Sequence, residues 1–157
     1  MNGANIFTRK ANDMSVKLYP DWREVQVEST DQFNQWRTLS DMYYPLADGR
    51  VVCVKAGFET DLASIPRFLW NLYPPFDPEY RAAAILHDGL YASELLPRNE
   101  CDWTLLEAMQ AQGNSWWTRN VFYSAVRIGG SSVWADHTDA TRADARKYVS
   151  IIPAEGA

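Results

Sequence analysis

Cysteine is scarce: Cys53 and Cys101 are the two in 157 residues, which excludes a small domain held by disulfides in place of a core. Long apolar runs are missing as well. The longest uninterrupted one, Ala82 to Leu86, falls far short of the ~20 residues that span a bilayer, so no membrane span is expected. No apolar segment follows the first charges, Arg9 and Lys10, so synthesis in a reducing cytoplasm with both thiols free is the expectation.

A block of one charge sign is also absent. The 15 Lys+Arg and 20 Asp+Glu give −5 overall, spread as −1, −3 and −1 over residues 1–60, 61–100 and 101–157. Sequence-independent binding to nucleic acid needs clustered cations to neutralise phosphates, so nucleic acid is not an expected partner. The Gly-x-Ser-x-Gly elbow of many serine hydrolases, glycine-rich phosphate loops and internal repeats are absent too.

What is present is enough apolar material for a core. Hydrophobic residues make up 46% and charged residues 22%, the balance of a folded domain and not of a disordered chain. The length fits one domain over residues 15–150, with an N-terminal arm at 1–14 and a C-terminal tail at 151–157. Aromatics are numerous, at 7 Trp, 8 Tyr and 6 Phe, more than one small core obviously needs. Trp22, Trp36, Trp116, Trp117 and Trp134 are therefore candidates for a protein contact surface.

The first half has strand character. Residues 15–19 and 22–28 predict a hairpin around Pro20-Asp21, Gln35–Leu39 and Met42–Leu46 are further strands, and Asp48-Gly49 is a tight-turn signal ahead of a β-branched strand at 50–55. The second half changes period. Asp77-Pro78, Pro97 and Ser115 predict three helix starts, Gly113 and Gly129-Gly130 two stops, and a weaker amphipathic helix covers Thr138 to Tyr148. The fold class expected is α+β: a small antiparallel sheet packed against three to four helices.

Between the halves stand the residues with most information. Gly57-Phe58-Glu59-Thr60-Asp61-Leu62-Ala63-Ser64-Ile65-Pro66-Arg67 is followed by Pro74-Pro75, by Ala82-Ala83-Ala84-Ile85-Leu86-His87-Asp88-Gly89-Leu90-Tyr91, and by Arg98 and Asp102 four apart. Over about residues 40–130 this series resembles the phage and prophage proteins catalogued as domain of unknown function 1353. The resemblance implies a viral origin and supplies no mechanism.

The residues themselves allow two accounts. Asp61, Ser64, Arg67, His87, Asp88, Arg98 and Asp102 can form a structural polar cluster where sheet meets helices. In it the short polar side chains serve the bend before Pro66, and His87, on an apolar helix face, is held by a carboxylate. Alternatively Asp61, His87 and Asp102 are catalytic, with His87 as general base or metal ligand fixed in one tautomer by an aspartate. Ser64 could act as a nucleophile only within reach of His87. Oxygen ligands for a divalent ion would come from Asp61, His87, Asp88 and Asp102, whereas a zinc set of Cys53, His87, Cys101 and His137 lacks the usual close pairs. The His-Asp pair differs from that of the HD phosphohydrolases, because no histidine precedes His87.

Three functions follow as expectations. The first is a bacteriophage virion or assembly component of head or tail, made in the host cytoplasm and carried in the virion, whose partners are other phage structural proteins or itself. The second is a small hydrolase using the Asp/His/Asp cluster, with or without a divalent metal; any cofactor is otherwise unknown. The third is an effector that binds a host protein.

Overall fold

The computed structural model describes residues 19–61, 67–74 and 77–154. The Asp48-Gly49 signal is a tight turn: Gly49 has φ +91°, a left-handed value that costs glycine least, and the Asp48 carboxylate accepts from the Arg50 N–H at 3.0 Å. It joins β3 (Met42–Pro45) to β4 (Val51–Val54) with Met42 opposite Val54. Alternation along β3 sends Met42 and Tyr44 into the core and Tyr43 outward onto Tyr19. A strand from the far end of the chain, β6 (Val149–Ile152), pairs antiparallel with the other edge of β4. Ile151 and Ile152 therefore belong to the sheet and not to a tail.

The single sheet expected is two. Beside the β3-β4-β6 sheet, a second antiparallel sheet has the order β1-β2-β5, from Val27–Ser29, Trp36–Thr38 and Glu59–Thr60. Residues 22–24, expected in a strand, form a 3₁₀ turn in which the Asp21 side chain accepts from the Arg23 N–H. The reason is packing: positions three apart eclipse on a 3₁₀ turn, which buries both Trp22 and Val25, and a strand would have split them. Residues 15–18 of the expected hairpin lie outside the described residues.

The helical half is α1 (Arg81–Ser93), α2 (Arg98–Ala111), α3 (Trp116–Ala135) and α4 (Asp139–Ala145). Pro97 opens α2, Ser115 caps α3 by accepting from the Thr118 N–H, and Thr138 with Thr141 forms a capping box on α4. Asp77 caps a turn instead of the helix: its side chain accepts from Glu79, and α1 starts later, after Tyr80. The α+β class is thus as expected, with antiparallel sheets against four helices among the described residues.

Helix α1 is the centre of the molecule, buried on nearly every side from Ala82 to Tyr91. Three consecutive alanines, Ala82 to Ala84, and Gly89 keep it slim. A Cβ at position 89 would lie 3.3 Å from Val149 and 3.4 Å from Val54, so the glycine sets how closely β4 and β6 approach the helix. Leu86, Leu90, Leu105, Met109, Phe122, Val52 and Val54 complete a continuous core.

Cys53 on β4 and Cys101 on α2 are free and buried. Burial, reinforced by Asp102 and Glu100, pushes the Cys101 thiol up to about 12, which keeps it protonated and unreactive. Thiol reagent is expected to label neither cysteine quickly in the folded protein and both after denaturation without reductant. Fewer than two labels on the unfolded chain would contradict the free-thiol assignment.

Candidate functional site

The site begins with the spacing of α1. His87 and Tyr91 are one turn apart, so both side chains point the same way, and their rings lie 4.3 Å apart. Asp102, in the first half of α2, enters the same space with no exposed surface. Its Oδ1 lies 3.0 Å from His87 Nε2 and accepts from the Tyr91 hydroxyl at 2.7 Å, while Oδ2 accepts from Arg127 Nη1 at 2.8 Å. A carboxylate only accepts, so His87 Nε2 carries a proton and the Nδ1 lone pair belongs to the neutral imidazole. Nδ1 lies on the side of Asp88, 3.9 Å from Oδ1.

The charges follow from this packing. Burial pushes the Asp102 carboxyl up, but the bonds from His87, Tyr91 and Arg127 outweigh it and hold the group below its ordinary 3.8. Burial likewise opposes a charge on His87, yet bonding to Asp102 and Asp88 prevails and raises its pKa above 6.5. Burial, then the bond to Asp102, pushes the Tyr91 hydroxyl up and keeps it a donor. The arrangement favours an imidazolium held between two carboxylates.

Arg98 closes the cluster at the start of α2. Its Nε donates to the Tyr91 oxygen at 3.0 Å, and Nη2 donates to the carbonyls of Val126 and Arg127 at 3.1 and 2.6 Å, tying α2 to the middle of α3. Here the structure corrects the expected stop at Gly129-Gly130, since α3 runs on to Ala135. A Cβ on Gly130 would sit 2.5 Å from the Tyr91 hydroxyl oxygen. The glycine makes room for a side chain and does not end the helix.

A cleft of about 490 Å³ opens over His87, lined among others by Asp61, Asp88, Tyr91, Gly129 and His137. Asp88 is fixed to β5, whose Thr60 hydroxyl donates to its Oδ2. Asp61 stands exposed at the cleft wall, and its carbonyl accepts from Asn34 Nδ2 at 2.9 Å. Asp61, His87 and Asp88 thus share the cleft, whereas Asp102 is sealed behind His87. Arg67 stands elsewhere, on a 3₁₀ turn with its guanidinium 5.6 Å over the Trp70 ring, and Ser64 lies outside the described residues.

The metal sets suggested by the sequence are not assembled. Among the described residues no group of three or more His, Cys, Asp or Glu is placed to share an ion. His137 instead pairs through Nδ1 with Glu94 at 2.9 Å, which ties the end of α1 to the start of α4. Two participants were missed from sequence, the Tyr91 hydroxyl and Arg127. Arg127 carried a signal: it is the single charge between Arg119, in the first turn of α3, and Asp136, just past its end.

The aromatics divide. Trp22 is a core residue, edge-on to Tyr44 at 5.0 Å, and so cannot serve a surface. Trp36 and Trp134 are half-buried, the latter against Tyr91. Trp116 and Trp117 are 56% and 74% exposed, and Trp103, not foreseen, is 52% exposed. No helix among the described residues is long and apolar enough to cross a membrane.

The family model for proteins of unknown function DUF1353 matches residues 36–126, from β2 into α3, which includes every residue of the His87 cluster except Arg127. No curated protein and no solved structure matches the chain. The chain belongs to the DUF1353 family.

Proposed function

We propose that this DUF1353 protein is a small hydrolase of phage or prophage origin in which His87 is the general base and Asp102 its positioning residue. The observation that carries the reading is the buried His87–Asp102 pair at the base of an open cleft. In the step that follows, Nδ1 takes a proton from water as the water oxygen bonds to the electrophilic centre of the substrate. The imidazolium formed lies between Asp102 and Asp88. It then gives that proton to the leaving oxygen as the bond to it breaks, which regenerates the base. Asp102, held by Tyr91 and Arg127, cannot turn away, so the imidazole keeps one tautomer and one orientation.

The test is turnover of carboxylic esters, phosphate esters and cell-wall fragments by the purified chain and by His87→Gln, whose amide can still donate to Asp102. At least one substrate is expected to turn over, and His87→Gln to lose about 10²–10⁴-fold, the usual contribution of a general base. Since the base works deprotonated and its pKa is raised, kcat/KM should climb with pH through a value above 6.5. Absence of turnover on all three classes, or turnover indifferent to His87→Gln, would remove the proposal.

A second reading, a virion component that docks on other phage proteins, is favoured by one observation: Trp116 and Trp117 lie edge-on at 4.8 Å, both exposed and neither part of the cleft. Mass spectrometry of purified virions tests it, and absence of the protein from the particle would end it.

A further inference from the structure

The two sides of the cleft differ in chemistry. One carries carboxylates: Glu59, Asp61 and Asp88 line it beside Thr60. The other is α3, which contributes Ala125, Val126, Gly129, Gly130 and Val133 and therefore no side-chain donor or acceptor at all. Along that wall Gly130 is filled by Tyr91, but a Cβ at Gly129, which is exposed at the rim of the cleft, would meet nothing within 4 Å, so the wall has room there. Beyond it Val133 is 48% exposed, which carries the apolar strip outward to the surface.

From this juxtaposition we infer that the cleft binds the aliphatic acyl part of a neutral carboxylic ester, with the chain along α3 and the carbonyl beside His87. The inference rests on the hydrolytic reading and names its substrate class. A peptide or glycan strand would set amides or hydroxyls against the α3 wall without partners, and unpaired polar groups are costly to bury. A phosphate ester would bring a negative charge to a wall that holds the Asp61 and Asp88 carboxylates beside Glu59, whose charge Arg37 offsets at 2.6 Å. A neutral ester meets neither penalty. Its fatty acid product is an anion, and the same carboxylates favour its release. Hydrolysis balances with water alone: the water oxygen bonds to the acyl carbon, the acyl carbon–alkoxy bond breaks, and the proton taken by His87 leaves with the alcohol.

The experiment uses the full chain, Gly129→Leu and two probes. Leucine at 129 takes up the room on the α3 wall, and it is a better helix former than glycine, so the fold is retained. With p-nitrophenyl esters from acetate to octanoate, kcat/KM is expected to rise on the order of four-fold per methylene buried. Gly129→Leu should flatten that rise. The second probe is nonan-2-one, a neutral ketone that cannot be hydrolysed, measured by titration calorimetry against propan-2-one. Binding of nonan-2-one that is lost in Gly129→Leu supports the chain site. Failure of the wild type to bind it, or equal binding by Gly129→Leu, overturns the inference even where esters are cleaved. Ketone binding without cleavage of any ester overturns the hydrolytic reading and leaves the chain site standing.

Discussion

Asp102→Ala is expected to lower folding stability by about 3–5 kcal/mol, the range for removing one partner from a buried ion pair. Three donors lose their acceptor at once: His87 Nε2, the Tyr91 hydroxyl and Arg127 Nη1. Arg127 is partly exposed and can turn to water. His87 and Tyr91 cannot, so the loss falls mainly on them. Urea denaturation at pH 7 measures it, and a loss under ~1 kcal/mol, the net worth of an ordinary hydrogen bond, would mean that Asp102 does not hold α1 to α2 and α3.

Acid and base affect this contribution in opposite ways. Asp102 has a depressed pKa in the folded state, so its contribution is present above the unfolded value of 3.8 and is lost as pH falls through the lower folded value. His87 has a raised one, so its share is complete below 6.5 and is lost as pH rises through the folded value. The gap between wild type and Asp102→Ala should therefore be widest between 3.8 and 6.5 and should narrow on either side.

Neighbouring glycines in α3 should respond with opposite signs to the same substitution. Gly130→Ala places a Cβ 2.5 Å from the Tyr91 hydroxyl oxygen and 3.2 Å from two ring carbons. The ring is not free to yield, because its oxygen is held by Asp102 at 2.7 Å and Arg98 at 3.0 Å. Alanine gains up to about 1 kcal/mol in helix propensity, but overpacking costs about 1–3 kcal/mol, and the broken bonds add to the cost. A net loss of stability is expected, together with loss of any activity that depends on His87. Gly129→Ala meets no atom and should instead raise stability by about 0.5–1 kcal/mol. Thermal melts of the two variants decide it, and equal shifts would show that Tyr91 is not seated against α3.

How far the site can be read without coordinates depends on the kind of signal each residue gives. Caps and turns act locally, so Ser115, Thr138 and Asp48-Gly49 announce their elements in the sequence. The pairing of His87 with Asp102 is also foreseeable, because a histidine on an apolar helix face needs a carboxylate and the next helix offers one among Cys101, Leu105 and Met109. Tyr91 hides its role, since a tyrosine on that stripe reads as core until its hydroxyl is placed. Gly129-Gly130 misleads because a helix stop and a packing notch use the same residue. The 3₁₀ turn at Trp22 and the strand at Val149 are invisible for a different reason: tertiary packing decides both, and neither has a local pattern strong enough to compete.

The pairing of β6 with β4 also bears on the order in which the fold is made. Helices α1 and α2 follow each other directly and can meet as soon as both exist, whereas Val149 must find Val54, roughly a hundred positions earlier. During synthesis the β3–β4 hairpin therefore waits with one edge unpaired and with Val52 and Val54 lacking the cover of the last strand. An uncovered edge beside apolar side chains is where nascent chains stick to one another. Docking of Val149–Ile152 pairs the β4 edge and covers those side chains, so the vulnerable period of this protein is set by how quickly β6 docks.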